Sequence, residues 1–228
     1  MDLSIVIPFY NEEDNAEDTI KGIDAALKDI NIKYEIVAVD NGSTDRTGAV
    51  LNGLKGKNAN LKIVTVPFNE GYGWGIRQGL KESSGEYVGF MCGDNQIDPH
   101  ELAMVYNKAV AEKLDLCKVR RVERHDGVAR SIISFFFNSI CPALFSIKGK
   151  DLNGTPKIFR KNVFEKLGLT SKGWFIDAEI MIKCSRMRCR MGDVPAVFRK
   201  REKGSSKINY RAVFSFVREM VSYKYKGI

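Results

Sequence analysis

The sequence predicts an α/β protein built on a mostly parallel sheet that helices cover on both faces. Short apolar runs typical of buried strands alternate with amphipathic helix patterns as far as residue 119. Of the 228 residues, 44% are hydrophobic, which is enough to fill the core of one large domain. Ligands of parallel sheets bind beyond the carboxyl ends of the strands, so the polar residues at those ends are the candidate site residues.

Strands and helices alternate in the first half of the chain. The predicted strands are Leu3–Phe9, Tyr34–Val39, Leu61–Val66, Glu86–Met91 and Leu114–Val119. The predicted helices are Asn15–Lys28, a segment from Ser43 or Thr44 to Leu54, a segment near Gly75–Lys81, and a segment that Asp98 caps and Pro99 begins. Repeated strand–helix units of this kind favour parallel strand pairing.

The second half of the chain has weaker periodicity. The apolar segment Val128–Ile147 precedes a predicted strand at Pro156–Arg160, a helix near Ala178–Met187 and a strand near Val194–Phe198. The segment Tyr210–Tyr225 is predicted to be an amphipathic helix whose apolar face carries Val213, Phe214, Val217, Met220 and Val221. Two roles stay open for this helix, since it either lies at a lipid interface or packs back on the core.

Charge and cysteine content narrow the class of protein. The formal net charge of +8 indicates an anionic partner, such as a nucleotide, a lipid phosphate or an acidic membrane, and a solvated basic surface is the alternative. Five cysteines and two histidines, without metal-site spacing, favour a reducing cytoplasmic setting over a disulfide framework or a zinc site. We expect no signal peptide, no membrane-spanning segment and no nucleic-acid partner.

Three of the predicted strands end in polar motifs. A carboxylate and an amide oxygen two residues apart, at Asp94 and Gln96, can point the same way and ligate a hard divalent cation. The alternative is an ordinary polar turn before a helix that begins with proline. The motifs are Pro8-Phe9-Tyr10-Asn11-Glu12, Asp40-Asn41-Gly42-Ser43-Thr44-Asp45 and Cys92-Gly93-Asp94-Asn95-Gln96.

In this order and spacing, the motifs resemble the nucleotide-sugar site of family 2 glycosyltransferases of the GT-A fold, and among them the dolichyl-phosphate mannose synthase-like branch. The stretches Asn69–Gly79 and Arg201–Lys207 also resemble that branch, so the likeness covers nearly the whole chain. It implies an inverting transfer of a sugar from a nucleotide donor, GDP-mannose or a UDP-hexose, to a polyprenyl or dolichyl phosphate. It also implies Mg²⁺ or Mn²⁺ as cofactor and a place at the membrane periphery, reached directly or through an anchoring subunit.

The resemblance also implies roles for individual residues. The donor nucleotide would meet Pro8, Tyr10, Glu12, Asp40, Asn41, Gly93 and Asp94, and the metal would be held by Asp94 and Gln96. The acceptor phosphate would meet Arg120, Arg130 and Ser134, with Arg121 competing for the role of Arg120. A mobile loop would contribute Arg201, Ser206 and Lys207, and the residues expected to act in catalysis are Asp94, Gln96, Arg130 and Arg201. Asp177 and Glu179 are candidates for a base or an acceptor contact, and the alternative is that they begin a helix.

One departure from the family pattern keeps other functions open. Cys92 stands where the family usually has the first Asp of a D-x-D motif, and a neutral thiol is a poor ligand for Mg²⁺ or Mn²⁺. The alternatives are a family 2 enzyme with a soluble sugar or protein acceptor, in which Asp177 acts as the base, and a non-catalytic nucleotide-sugar-binding protein. In each case we expect a GT-A domain over residues 1–207, with a donor half (1–119) and an acceptor half (120–207), followed by the C-terminal helix in 208–228.

Overall fold

The computed structural model describes residues 1–124, 140–145, 147, 151–199 and 210–226. The strands in these ranges are β1 (Leu3–Phe9), β2 (Tyr34–Asn41), β3 (Leu61–Val66), β4 (Tyr87–Phe90), β5 (Leu116–Arg124), β6 (Lys157–Arg160) and β7 (Met191–Phe198). They form one sheet in the order β3-β2-β1-β4-β6-β5-β7.

Helices flank this sheet. They are α1 (Ala16–Lys28), α2 (Thr47–Lys55), α3 (Tyr72–Lys81), α4 (Pro99–Ala111), α5 (Lys161–Leu167), α6 (Ile176–Arg186) and α7 (Tyr210–Lys226), and residues 140–145 are helical as well. Among the described residues, no helix is both long enough and apolar enough to cross a bilayer.

The strand directions confirm the predicted, mostly parallel sheet. β1 pairs in parallel with β2 and β4, β2 pairs in parallel with β3, and β5 pairs in parallel with β7. β6 runs antiparallel to its neighbours β4 and β5. Because β1 lies between β2 and β4, the carboxyl ends of these three strands, which carry the polar motifs, meet at one edge of the sheet.

Alternate residues of β1 contribute to two hydrophobic clusters. Ile5 and Ile7 join the cluster that contains residues of α1, α2 and α4, whereas Val6 joins the cluster that contains residues of α3, α6 and α7. A Cβ at Gly79 of α3 would lie only 2.3 Å from the Val6 side chain, so glycine allows α3 to approach the sheet closely. Helices therefore cover both faces of the sheet, as the sequence predicts.

Two helix starts differ from the predicted ones. α2 begins at Thr47 rather than after Ser43 or Thr44, because the Asp45 carboxylate accepts hydrogen bonds from the Thr47 amide (2.9 Å) and hydroxyl (2.5 Å). The Ser43 amide donates to the Asp40 carboxylate and the Thr44 amide to the Asn11 side chain, so neither residue caps the helix. α3 begins at Tyr72 rather than near residue 75, directly after Gly71, whose φ of 124° favours glycine.

Two strands are longer than predicted because they pair with each other. β5 extends beyond Val119 to Arg124, and β7 begins at Met191 rather than near Val194, since the two strands share a parallel register over this length. The short helix α5 is absent from the sequence prediction. The extension of β5 matters for the site because it places two consecutive arginines, Arg120 and Arg121, on a strand.

Only part of the predicted apolar face of the C-terminal helix is buried. Met220 is buried, but Phe214, Val217 and Val221 are exposed, and the side chain of Val213 lies outside the described residues. The residues buried with Met220 are Phe216 and Tyr223. α7 thus packs on the core through one face and leaves a second apolar face outside.

Candidate donor and acceptor site

The first two polar motifs are held together by hydrogen bonds between loops. The Asn11 amide donates to the Ser43 hydroxyl (3.1 Å), and the Thr44 amide donates to the Asn11 side-chain oxygen (2.8 Å). The Glu12 amide donates to the Thr47 hydroxyl (2.9 Å) in the first turn of α2. The loops after β1 and β2 therefore form one wall of the site.

Asp40 and Asn41 end β2 in different environments. The Asp40 carboxylate accepts a hydrogen bond from the Ser43 amide (3.1 Å), and a Cβ at Gly48 would lie 2.5 Å from its other oxygen. The carboxylate thus lies against the first turn of α2. The Asn41 side chain is buried and donates to the Gly71 carbonyl (3.0 Å), so it ties the end of β2 to the start of α3.

The other predicted donor residues lie close to these two. Pro8 pairs with Val39 in the register of β1 and β2, and Tyr10 follows at the end of β1. The buried Glu12 carboxylate accepts a hydrogen bond from the Asn15 side chain (2.7 Å), directly before α1. A Cβ at Gly93 would lie 2.5 Å from the Phe9 ring, so only glycine fits where the loop after β4 crosses the end of β1.

Cys92 contacts two hydroxyl groups at the end of β4. Its sulfur lies 3.3 Å from the Tyr72 hydroxyl and 3.6 Å from the Thr155 hydroxyl. Burial, with a smaller effect of the nearby Asp94 carboxylate, raises the pKa of the Cys92 thiol to about 11, so the thiol is neutral near pH 7. The Tyr72 ring stacks on Trp174 with a centroid distance of 4.7 Å.

Asp94 and Gln96 lie in the turn that follows Cys92. An Asp94 oxygen accepts a hydrogen bond from the Gln96 amide (3.3 Å). The buried Gln96 side chain donates through its nitrogen to the Arg199 carbonyl (3.0 Å), and the Arg199 amide donates back to the Gln96 carbonyl (2.9 Å). This pair of bonds fixes the orientation of the Gln96 amide and joins the loop after β4 to the end of β7.

The donor set around Asp94 suits a divalent cation that is held mainly by its substrate. Among the described residues no group of three or more His, Cys, Asp or Glu side chains could enclose a metal ion, and Cys92 is uncharged. One carboxylate and one amide oxygen match the way in which Mg²⁺ is commonly bound, with substrate phosphates and water completing its shell. The residues present therefore fit a cation that binds together with a diphosphate.

The two candidate arginines of β5 have different partners. Arg121 forms a paired, charge-assisted contact with Asp151 (2.9 and 3.1 Å from its Nε), and its charge interacts with that of Asp177. Arg120 forms an ion pair with Asp193 of β7 (2.9 Å). Consecutive strand residues point to opposite faces, so the two arginines lie on different faces of β5, and Arg121 is the one linked by its charge to Asp177.

Two lysines join Arg121 in a buried ionic cluster. Lys157 of β6 has no exposed surface and forms an ion pair with Asp177. Lys118 of β5, which is opposite Lys157 in the strand register, donates to the Asp151 carbonyl (2.9 Å). Burial, with a smaller effect of the nearby Lys157, lowers the pKa of Lys118 to about 8.

Asp177 and Glu179 belong to the first turn of α6, which matches their alternative role as helix-starting residues. The fully buried Glu179 accepts hydrogen bonds from the backbone amides of Thr170 (2.9 Å) and Ser171 (2.8 Å) and pairs with Lys183 (2.7 Å). Burial alone would raise the pKa of Glu179, but Lys183 and these amide donors outweigh it and hold the pKa below its usual value. Both carboxylates are thus engaged by lysines.

Comparison with known proteins shows which family the chain belongs to. The family described as "Glycosyl transferase family 2" matches residues 4–168. This chain belongs to glycosyl transferase family 2. Its fold resembles that of the glucosyl-3-phosphoglycerate synthase of Mycobacterium tuberculosis in complex with phosphoglyceric acid, with a TM-score of 0.75 at 17% identity over 97% of this chain and 79% of that one. The GT-A fold that the sequence predicts is confirmed.

Curated relatives of this family 2 chain are named for lipid-phosphate chemistry. It is 27% identical over 227 residues to the dodecaprenyl-phosphate galacturonate synthase of Rhizobium johnstonii, covering 97% of this chain and 66% of that protein. It is 30% identical to the dolichol-phosphate mannosyltransferase of Pyrococcus furiosus, covering 96% of this chain and 63% of that protein. The chain thus spans just under two thirds of the length of these relatives. The mycobacterial synthase has also been solved with Mn²⁺ and uridine diphosphate, at a TM-score of 0.74, 17% identity and coverage of 97% and 76%.

Several predicted site residues of this family 2 chain lie outside the described residues. They are Arg130, Ser134, Arg201, Ser206 and Lys207. Sequence reasoning missed Tyr72 and Thr155, which contact Cys92, and Trp174, which stacks on Tyr72. Tyr72 could have been found, because it belongs to the stretch Asn69–Gly79 that resembles the family. Thr155 and Trp174 reach this place only through the fold, and no sequence pattern marks them.

Proposed function

We propose that this family 2 chain transfers a sugar, with inversion, from a nucleotide-diphospho-sugar to a polyprenyl phosphate. The observation that carries the proposal is the pairing of Asp177 with the fully buried Lys157, together with that of Glu179 with Lys183. A hydroxyl acceptor needs a base that removes its proton, and these two acids, the candidates for that base, are engaged by lysines. A phosphate acceptor is already ionised near neutral pH and needs no base.

The donor half binds the nucleotide at the joined ends of β1, β2 and β4. Asp40 accepts hydrogen bonds from the ribose or base, and Pro8, Tyr10, Glu12, Asn41 and Gly93 shape the same pocket. Asp94 and the oriented oxygen of Gln96 would hold Mg²⁺ or Mn²⁺ together with the donor diphosphate, and the bound cation would supply positive charge against the negative charge that builds up on the leaving diphosphate. The Mn²⁺ and uridine diphosphate bound by the mycobacterial synthase support this half of the proposal.

The acceptor half presents cations to the lipid phosphate. Arg121 takes the acceptor role for which Arg120 was the first candidate, because its charge interacts with that of Asp177 and its planar guanidinium, which Asp151 holds in place, suits phosphate oxygens. Arg130 and Ser134 complete the phosphate site, and Arg201, Ser206 and Lys207 close on the diphosphate. The names of the two curated relatives support a polyprenyl phosphate as the acceptor.

The reaction is a single displacement at the anomeric carbon. An acceptor phosphate oxygen forms a bond to this carbon as the bond to the donor diphosphate breaks, and the nucleoside diphosphate leaves with the bonding electrons. No proton has to be moved from the acceptor. The configuration at the anomeric carbon inverts because attack and departure occur on opposite faces. The enzyme meets its lipid acceptor at the membrane periphery, directly or through an anchoring subunit.

The test combines a panel of GDP- and UDP-sugars with three acceptors in detergent. The acceptors are a short polyprenyl phosphate, the corresponding polyprenol and a soluble sugar. The proposal expects lipid-linked product with the phosphate and one donor, and none with the alcohol. Transfer to the soluble sugar alone would favour the soluble-acceptor alternative. Binding of a donor without turnover on any acceptor would favour a non-catalytic protein.

A further inference from the structure

α7 packs on the protein through one apolar face. The Phe216 ring lies 5.3 Å from the Phe175 ring, and the Tyr223 ring lies 5.8 Å from the Phe145 ring, measured between centroids. Phe175 directly precedes α6 and is two residues from Asp177. The buried face of α7 is therefore fixed to the acceptor side of the site.

A second apolar face of α7 points away from the protein. Phe214, Val217, Val221 and Tyr225 are 71%, 40%, 45% and 85% exposed. Their spacing of three, four and four residues places them along one side of a helix, and we call these four residues the outer ridge. Ordinary surface helices carry polar residues in such positions, so a continuous exposed ridge indicates a partner.

The charges beside the outer ridge indicate what that partner is. Arg218 and Lys224 are exposed, and their positions in the helical period lie on either side of the ridge; the Lys224 ammonium also donates to the Leu144 carbonyl (3.0 Å). The one acidic residue of the helix, Glu219, is turned inward, where it accepts a hydrogen bond from the Ser215 hydroxyl (3.0 Å) and lies against Gly173. A second copy of this face would bring like charges together, which is unfavourable. An apolar ridge flanked by cations instead matches an anionic lipid surface.

We propose that α7 lies in the plane of an anionic bilayer, with the outer ridge inserted among the lipid headgroups. This inference deepens the proposed function and rests on it, because a polyprenyl phosphate acceptor is held in a bilayer. The buried face of the same helix is fixed to the segment that leads into Asp177. Insertion of the ridge therefore brings the acceptor side of the site, including Arg121, to the lipid surface.

The experiment measures flotation of the chain with vesicles of phosphatidylcholine and phosphatidylglycerol that contain no polyprenyl phosphate. A Phe214→Ser and Val221→Ser double variant should lower vesicle partitioning by roughly tenfold or more. Arg218→Gln should lower it by about fivefold and reduce its salt dependence. The matched control is a Met104→Ser and Val110→Ser double variant on α4, where the two residues are 53% and 41% exposed. It should bind vesicles like the wild type.

The outcomes separate the ridge from the enzymatic activity. Circular dichroism checks that each variant folds, and transfer to a short polyprenyl phosphate in detergent is measured in parallel. Wild-type chain that makes product in detergent but ignores anionic vesicles would overturn the ridge proposal and leave the function standing. Vesicle binding that depends on the ridge, without product from any donor, would support the ridge proposal and overturn the proposed function. A ridge variant that changes the oligomeric state instead of vesicle binding would identify an interface between copies and also overturn the proposal.

Discussion

Lys157, which has no exposed surface, forms an ion pair with Asp177 in the first turn of α6. The pair joins β6 to α6 beneath the end of β4, where Cys92 and Asp94 lie. An ammonium group in this position needs a carboxylate partner, because a buried charge without one is strongly unfavourable. We therefore assign Asp177 mainly a structural role, which is to neutralise the buried Lys157.

Asp177→Asn tests that assignment. Because Lys157 would lose its charged partner, we expect the free energy of unfolding to fall by about 3–5 kcal/mol in urea titrations. In the fraction that stays folded, the transfer rate should fall by about tenfold or less, since loss of a general base costs roughly 10²–10⁴-fold. A fully stable variant with a rate loss in that larger range would instead make Asp177 the base for a hydroxyl acceptor.

The thiol of Cys92 should react slowly with alkylating reagents. Its pKa of about 11, against 9.0 for an ordinary thiol, leaves about a hundredfold less thiolate at pH 8, and the thiolate is the reactive form. Peptide mass spectrometry should show iodoacetamide labelling about a hundredfold slower than in the urea-unfolded chain, rising about tenfold per pH unit up to pH 10. Rapid labelling of the folded chain at pH 7 would contradict a neutral Cys92.

Arg121 and Arg120 form a matched pair for the acceptor site. Arg121→Lys keeps the charge beside Asp151 but loses the planar fork, so the kcat/KM for polyprenyl phosphate should fall by about tenfold or more. Arg120→Lys, beside Asp193 on the opposite face of β5, should change it by less than about twofold. Equal effects of both substitutions, or a larger effect at Arg120, would reverse the assignment.

Glu179 should make stability sensitive to acid. Its pKa lies below the usual value in the folded state, so its contribution is present above about pH 4.5 and is lost as the pH falls through the folded-state pKa. Glu179→Gln should lower the free energy of unfolding by about 1–3 kcal/mol at pH 7. The gap between wild type and variant should narrow at pH 3.5. A gap that stays constant from pH 7 to pH 3.5 would show that the charge of Glu179 is unimportant.

Features set by nearby residues in the chain were predictable from the sequence. Asp98 caps α4 and Pro99 begins it, as predicted, because both effects act within one turn. β1 and β3 also have their predicted bounds, because each is a continuous apolar or alternating run between turns. The three polar motifs could be placed at one edge of the sheet, because parallel strands align their carboxyl ends.

Features set by distant contacts were not predictable in the same way. The choice between Arg120 and Arg121 depends on the partner that each residue meets, Asp193 for Arg120 and Asp151 for Arg121, and β5 reaches both residues only by pairing with β7. The pairing of Lys157 with Asp177 joins residues of different elements without a sequence signal. The helical period of the apolar residues predicts α7. It does not predict which of these residues are buried, because burial depends on contacts with Phe175 and Phe145.

Asp94 is the residue on which the proposed sugar transfer to a lipid phosphate depends most. The most direct measurement follows radiolabelled sugar from its nucleotide donor into the organic phase, with Mn²⁺ and a short polyprenyl phosphate, for wild type, Asp94→Ala and the exposed control Asp29→Ala. We expect labelled lipid with wild type and Asp29→Ala, and a loss of at least about a hundredfold with Asp94→Ala. No labelled lipid from any donor, or undiminished product with Asp94→Ala, would contradict the proposed function.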